Sequence, residues 1–177
     1  MQKSIIVSIE EQRLVLLEDL NIVFDVSIAT ARNGPGELSG SECTPRGRHY
    51  IRAKIGADCP LNSVFVARRP TGEIYSEQLR ASHPGRDWIL TRIMWLCGLE
   101  RGKNRGGNVD TMRRYVYIHG CPDEDAMGIP SSHGCIKMRN NEVIELFNRV
   151  AVATPVIISE QSIAQALFNQ FGKALDG

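Results

Sequence analysis

Short apolar runs, some continuous and some alternating with polar residues, dominate the first half of the chain and predict β-strands. Residues 4–9 and 13–17 flank a polar turn, a pattern typical of a β-hairpin. Apolar and mostly polar residues alternate over residues 21–29, which predicts a third strand with one buried face. Further strands are expected at 48–55, 62–67 and 73–75, with a turn at 69–72 between the last two. Consecutive short strands favour an antiparallel sheet over βαβ units.

The second half mixes strand and helix patterns. Apolar residues near helical spacing predict a helix at 88–99, a second at 140–150 and a C-terminal amphipathic helix at 159–175 docked on the sheet. Residues 114–118 and 154–158 have the composition of strands. The fold class is therefore mainly β with a few flanking helices.

Length and composition narrow the class of protein. A chain of 177 residues predicts a single domain, residues 1–177, with room for a sizeable core. A net charge of +1 argues against a broad nucleic-acid surface, and the apolar runs are too short to cross a membrane. We find no targeting segment, and five cysteines without a small-scaffold spacing favour a reducing cytoplasm. The alternative location is the periplasm, if a signal peptide has been removed.

Charge is distributed unevenly along the chain. Residues 1–42 carry a net charge of −4 and residues 80–114 a net charge of +5. The basic stretch, with Arg113 and Arg114 at its end, is expected to hold the carboxylates of an anionic substrate. An ordinary solvated face is the alternative for the same stretch.

The chemically richest stretch runs from Tyr117 to Ile136 and contains two His-Gly-Cys tripeptides. Cys135 follows Gly134 and precedes a predicted helix whose free N–H groups would favour a thiolate or an oxyanion. His119 ends a predicted strand and is a candidate base, with a backbone carbonyl near Gly120 as the candidate group that orients its imidazole.

The histidines and cysteines of the two His-Gly-Cys tripeptides permit a different hypothesis. Two histidines and two cysteines form a legitimate zinc set, although the His-x-Cys spacing is not the usual one. A disulfide between Cys121 and Cys135 is a further alternative that fits poorly with a reducing compartment. No metal and no other cofactor is expected under the nucleophile hypothesis.

The motif resembles the signature of the L,D-transpeptidase catalytic domain (YkuD) family. The resemblance is carried by Tyr-Ile-His-Gly at 117–120, Ser-His-Gly-Cys-Ile at 132–136, Thr-Pro-Arg-Gly at 44–47 and Thr-Pro-Val at 154–156. It spans almost the whole chain and implies a β-sandwich-like fold with the active site at the strand ends. Two positions depart from the family pattern. Lys137 stands where Arg or Asn is common, and Cys121 is expected to bring a second thiol near the site.

The resemblance also implies roles for the residues of the motif. Cys135 would attack the carbonyl of an L-centre diamino acid linked to a D-amino acid, with His119 as general base and Gly120 as its orienting carbonyl. The amides of His133, Gly134 and Cys135 would form the oxyanion hole, and Ser132 and Lys137 would contact the substrate.

The implied substrate is a peptidoglycan stem peptide. A cytoplasmic member would meet soluble muropeptides, so we expect an L,D-carboxypeptidase that trims a tetrapeptide stem to a tripeptide or exchanges its terminal D-amino acid. The alternatives are a periplasmic cross-linking L,D-transpeptidase and a zinc-stabilised, non-enzymatic binding module.

Overall fold

The structure is a computed structural model that describes residues 1–172. Within these residues one branched sheet contains ten strands: β1 (Lys3–Ser8), β2 (Arg13–Glu18), β3 (Asn21–Ser27), β4 (Gly47–Ile55), β5 (Ser63–Val66), β6 (Arg69–Ile74), β7 (Ile89–Gly98), β8 (Tyr117–Gly120), β9 (Ile136–Met138) and β10 (Pro155–Ser159). Three α-helices flank it in the same residues: α1 (Glu77–Ser82), α2 (Asn140–Arg149) and α3 (Ile163–Phe171).

The strands follow the order β3-β2-β1-β10-β4-β7-β5-β6, and β7 also pairs with β8. The β1–β10 and β8–β9 pairs are parallel, and the other pairs are antiparallel. The branch at β7 carries β8 and β9, so the two halves of the reactive motif become neighbouring strands. The pairing brings His119 opposite Lys137, two residues after Cys135.

The main core lies between the two parts of this sheet and helix α2. Apolar side chains of β1, β2, β4 and β10 form one cluster with those of β7, β8, β9 and α2, including Ile5, Leu16, Ile51, Met94, Ile118, Ile136, Leu146 and Val156. The mainly β, sandwich-like fold expected from the sequence and from the resemblance is confirmed.

The predicted helix at 88–99 is wrong, because this stretch forms the strand β7, which pairs with β4, β5 and β8. Most of its residues are buried on both faces of the sheet. A strand covered on both faces is apolar throughout and lacks the alternation that identifies a half-exposed strand. Its apolar residues therefore matched helical spacing by coincidence.

The turn between β5 and β6 also differs from the prediction. It lies at Ala67 and Arg68 instead of 69–72, and both residues have positive φ angles, 48° and 65°. Two successive residues in the left-handed region are typical of a two-residue hairpin turn, which usually contains Asn and Gly. The sequence therefore carries no composition signal for this turn.

The C-terminal helix is present as α3 and packs on β1 and β2 through Ile163 and Ala166, as predicted. Its expected continuation to Leu175 lies outside the described residues. No helix in residues 1–172 is long and apolar enough to cross a membrane.

Candidate active site

A cavity of about 450 Å³ opens where β8, β9 and the β5–β6 turn meet. It contains Cys135 and His119, the candidate nucleophile and the candidate base of the motif. Its lining residues are Ala67, Arg68, Asp87, Ile89, Tyr115, Tyr117, His119, Ser132, His133, Cys135 and Lys137.

Cys135 lies half-buried in the wall of this cavity, at the residue before β9. The backbone N–H of Tyr117 donates to its Sγ at 3.4 Å, and the thiol is 3.6 Å from the carbonyl oxygen of Tyr115. The strand β9 separates Cys135 from the N-terminus of α2. The expected stabilisation of the thiolate by free N–H groups of that helix is therefore wrong.

Gly134 makes the approach of this segment to its neighbour possible. Its φ is 128°, a conformation that favours glycine, and an added Cβ would lie 3.2 Å from the carbonyl oxygen of Cys43. The segment therefore packs closely on the loop before β4. Thr44 joins the two, since its Oγ1 accepts from the N–H of Ala31 at 2.9 Å and donates to the carbonyl of Gly134 at 3.0 Å.

His119 is the penultimate residue of β8 and is almost fully buried. Its Nδ1 lies 2.7 Å from the carbonyl oxygen of Gly120, a contact that requires the Nδ1–H tautomer. The other ring nitrogen, Nε2, is then unprotonated and available to accept a proton. Asn140 supports this end of β8, because its side-chain amide donates to the carbonyl of Cys121 at 2.8 Å.

The surroundings favour the neutral forms of both reactive groups. Burial raises the pKa of the Cys135 thiol to about 12. Burial also lowers the pKa of His119, and the hydrogen bond to Gly120 opposes this shift in part. At neutral pH the same cavity wall therefore holds a thiol and a neutral imidazole, so a nucleophilic attack requires proton transfer from sulfur to nitrogen as it proceeds.

The three amides expected to form an oxyanion hole differ in their availability. The N–H of Gly134 donates to the Oγ of Ser132 at 3.2 Å, so it is already engaged. Within the described residues, the backbone N–H groups of His133 and Cys135 make no hydrogen bond. The geometry thus leaves two free donors beside the thiol instead of three.

Ser132 and Lys137 line the cavity, but both side chains are occupied. The Ser132 hydroxyl donates to the carbonyl of Cys135 at 2.5 Å and accepts from Gly134, which shapes the nucleophile segment. The Lys137 ammonium pairs with Asp125 at 3.0 Å, and only 13% of its side chain is exposed. Asp125 pairs in addition with Arg80 at 2.9 Å.

Arg113 and Arg114 are not among the residues that line this cavity. Arg114 instead donates to the backbone carbonyls of Gly36, Glu37 and Cys43, which fixes the loop before β4. The loop residues Arg101 and Arg105 line a separate cavity that shares no residue with the one around Cys135. Arg113 and Arg114 thus lie outside the wall of the cavity around Cys135, and a substrate contact by the basic loop at 101–114 stays a prediction.

Further basic residues line a neighbouring cavity. A second cavity of about 360 Å³ meets the first at Asp87, His133 and Lys137. Its wall adds three arginines, Arg32, Arg80 and Arg86. The sequence offered a partial signal, since Arg80 and Arg86 belong to the basic stretch, whereas Arg32 lies in the acidic N-terminal part.

The four residues of the zinc alternative do not converge. His119, His133 and Cys135 line the cavity, but the Cys121 thiol is fully buried outside its wall and donates to the carbonyl of Met138 at 3.3 Å. Across residues 1–172 no group of three or more His, Cys, Asp or Glu side chains could hold a metal ion. Cys121 is also absent from the cavity wall, so the expected second thiol at the site is wrong.

Comparisons with known proteins point to one family. The model of the L,D-transpeptidase catalytic domain (YkuD) matches residues 2–158. A curated Bacillus subtilis (strain 168) protein with the name "Putative L,D-transpeptidase YqjB" is 42% identical over 49 residues, which are 28% of this chain and 28% of that protein.

Solved structures give the same fold. A Cys-to-Ser mutant of the Enterococcus faecium L,D-transpeptidase has a TM-score of 0.54 at 17% identity, over 90% of this chain and 50% of that one. Mycobacterium tuberculosis L,D-transpeptidase 3 has a TM-score of 0.55 at 16% identity, over 89% of this chain and 61% of that one. This chain thus spans about half to three fifths of these structures, and the similarity concerns the fold.

Proposed function

The chain belongs to the L,D-transpeptidase catalytic domain (YkuD) family, and we propose that it is an L,D-carboxypeptidase acting on soluble peptidoglycan stem peptides. The observation that carries the proposal is the placement of the Cys135 thiol and the His119 imidazole in the wall of one cavity. The bond cleaved is the one between the L-centre of the diamino acid and the terminal D-alanine.

The first half of the reaction forms an acyl-enzyme. The Cys135 sulfur attacks the carbonyl carbon of the diamino acid while its proton passes to Nε2 of His119. The free N–H groups of His133 and Cys135 are the candidate donors to the oxyanion that develops. The C–N bond then breaks, His119 returns the proton to the leaving nitrogen, and D-alanine departs with a free amine.

The second half releases the trimmed stem. Water attacks the thioester carbon as His119 takes one of its protons. The C–S bond breaks, the proton returns to the sulfur, and a tripeptide with a new terminal carboxyl group leaves. The Gly120 carbonyl keeps the imidazole in the tautomer that both half-reactions need.

The charge around the thiol supports water as the acceptor. The two cavities that meet beside Cys135 are lined by Arg68, Arg32, Arg80, Arg86 and Lys137 but by only two carboxylates, Asp87 and Asp125. A cross-linking acceptor is an amine, which carries a positive charge at neutral pH and is repelled by this surface. Water has no such penalty.

An acceptor assay in ¹⁸O-labelled water tests this choice. Purified protein is incubated with a disaccharide tetrapeptide, with and without an excess of a D-amino acid or a second stem. Hydrolysis predicts a tripeptide that carries one ¹⁸O atom as the main product. Cross-linked dimers as the main product would favour a cross-linking transpeptidase.

We also propose that the protein works in the cytoplasm. All five cysteines are free thiols in the structure, which suits a reducing compartment. Fractionation of cells that express the protein from its own gene, followed by immunodetection, tests the location. Detection in the periplasmic fraction would contradict the proposal and favour the cross-linking alternative.

A further inference from the structure

The β5–β6 turn presents an arginine to the cavity in a conformation that side chains rarely adopt. Ala67 and Arg68 both have positive φ angles, 48° and 65°, and both line the cavity that contains Cys135. Residues other than glycine rarely adopt this conformation, and those that do tend to occur at functional sites. The conformation of this turn is therefore a reason to consider a functional role for the Arg68 side chain.

Aromatic residues hold the Arg68 side chain in place. Its guanidinium carbon lies 4.6 Å from the ring centroid of Trp95 and 4.7 Å from that of Tyr115. One nitrogen donates to the hydroxyl of Tyr117 at 3.0 Å. Cation–π contacts to two rings and a hydrogen bond to a third residue fix the planar group before any ligand arrives.

The positive charge of Arg68 is not neutralised by the protein. Among residues 1–172, no carboxylate lies within 4.0 Å of its guanidinium, whereas Lys137 in the same cavity pairs with Asp125. A guanidinium has five N–H groups, and Arg68 uses one of its nitrogens on Tyr117. The remaining donors suit the two oxygens of a carboxylate, the geometry that arginine recognises best.

We propose that Arg68 is the anion receptor of this cavity and binds a carboxylate of the stem peptide close to the scissile bond. This inference rests on the proposed function for the identity of the substrate. Two groups of a stem have the required chemistry, namely the carboxylate of the terminal D-alanine and the side-chain carboxylate of the diamino acid. In both cases the bound carboxylate fixes the position of the carbonyl that faces Cys135.

Alkylation of Cys135 tests the receptor without any substrate. The anionic reagent iodoacetate and the neutral reagent iodoacetamide are compared on the wild type and on Arg68→Gln, with labelling at Cys135 quantified by peptide mass. We expect the iodoacetate-to-iodoacetamide rate ratio to fall roughly tenfold in Arg68→Gln, because a charge-assisted hydrogen bond to the anion is lost. An unchanged ratio would overturn the proposal.

Arg52 provides the matched control. It also lies over the Trp95 ring, at 5.9 Å, but it is exposed and does not line the cavity. Arg52→Gln removes the same charge from the same aromatic ring and should leave the ratio unchanged. An equal fall in both variants would indicate a general charge effect and count against a specific receptor. Should Arg68→Gln not fold, Arg68→Lys keeps the charge but loses the planar fork and should lower the ratio by a smaller amount.

Amidated substrates then identify the carboxylate. Wild-type kcat/KM is measured on a tetrapeptide stem, on its D-alaninamide form and on a form amidated at the diamino acid side chain. Amidation of the recognised group should lower kcat/KM roughly 10- to 100-fold, and Arg68→Gln should be slow on every form without a further loss. Equal wild-type rates on all three forms would exclude recognition of either carboxylate and leave the proposed function intact. No turnover of any form would instead contradict the proposed function, while the alkylation ratio still decides the role of Arg68.

Discussion

At the scale of single residues, the pairing of Cys135 and His119 differs from that of a pre-formed thiolate and imidazolium. Burial acts on the two groups in opposite directions, raising the pKa of the thiol to about 12 and lowering that of the imidazole. Both groups are therefore neutral at pH 7. The site keeps its nucleophile protonated until a substrate carbonyl is in position.

This state predicts a specific pH dependence. Protonation of His119 removes the base, and because its pKa is lowered from 6.5, the acidic limb of kcat/KM should lie below pH 6.5. The rate of Cys135 alkylation by iodoacetamide should keep rising above pH 9 without a plateau near neutrality. A plateau at neutral pH would indicate a stable thiolate and contradict this description.

Replacement of His119 gives a direct control. His119→Gln should lower kcat by roughly 100- to 10,000-fold, the usual contribution of a positioned base. The loss should be largest in the neutral range and diminish at high pH, where the thiol ionises without help. Wild-type kinetics in His119→Gln would remove this residue from the mechanism.

The motif brought Cys135, His119, Ser132 and Lys137 to one cavity, since they are close in the chain or lie on paired strands. It could not identify Arg68, which comes from a turn about fifty residues earlier and reaches the cavity only through strand pairing. Arg113 and Arg114 were expected at the site because they lie just before the motif in the chain, and neither lines the cavity. Arg114 does come near the nucleophile segment, where its positive charge acts on the Cys135 thiol, but its side chain is held by the loop before β4.

At the scale of elements, the loop before β4 controls the shape of the nucleophile segment. Thr44 is fully buried and bridges Ala31 and Gly134 through its hydroxyl. This contact gives a physical reason for the Thr-Pro element at 44–45, which the sequence alone identified only by resemblance.

Thr44→Val keeps the shape of the side chain but leaves an N–H and a carbonyl without a partner. It should lower the free energy of unfolding by about 1–3 kcal/mol and slow alkylation of Cys135. Thr44→Ser retains the hydroxyl and should stay close to the wild type in alkylation. Denaturant unfolding and thiol labelling measure both effects, and equal behaviour of the valine and serine variants would contradict the bridging role.

The partly exposed strands β3 and β4 were predictable from their alternation, whereas the buried strands β1 and β2 were predictable from their β-rich composition around a polar turn. The central strand β7 was not, because burial on both faces removes the alternating signal. The other strands were enough to predict a mainly β fold. The branching of the sheet at β7, which forms the site, could be seen only in the structure.

At the scale of the whole molecule, a second buried histidine links stability to pH. His49 on β4 lies 3.0 Å from the Gly47 carbonyl through Nδ1 and 3.0 Å from the Thr111 hydroxyl through Nε2. Burial lowers its pKa from 6.5 to about 4. The unfolded chain therefore binds a proton that the folded chain rejects between these two values.

As pH falls from 6.5 towards 4, the free energy of unfolding should decrease by about 3 kcal/mol on account of His49. His119 contributes in the same direction. His49→Gln should flatten this part of the pH dependence in denaturant unfolding, and an unchanged slope in the variant would contradict the assignment to His49.

In the proposed reaction, Cys135 attacks the carbonyl carbon of the bond before the terminal D-amino acid of a stem peptide. The most direct measurement follows a disaccharide tetrapeptide by mass after incubation with the wild type or Cys135→Ala, with circular dichroism to verify that the variant folds. We predict loss of D-alanine and formation of the tripeptide with the wild type, and no conversion with folded Cys135→Ala. Conversion by the folded variant at the wild-type rate, or an unchanged tetrapeptide with the wild type, would contradict the claim.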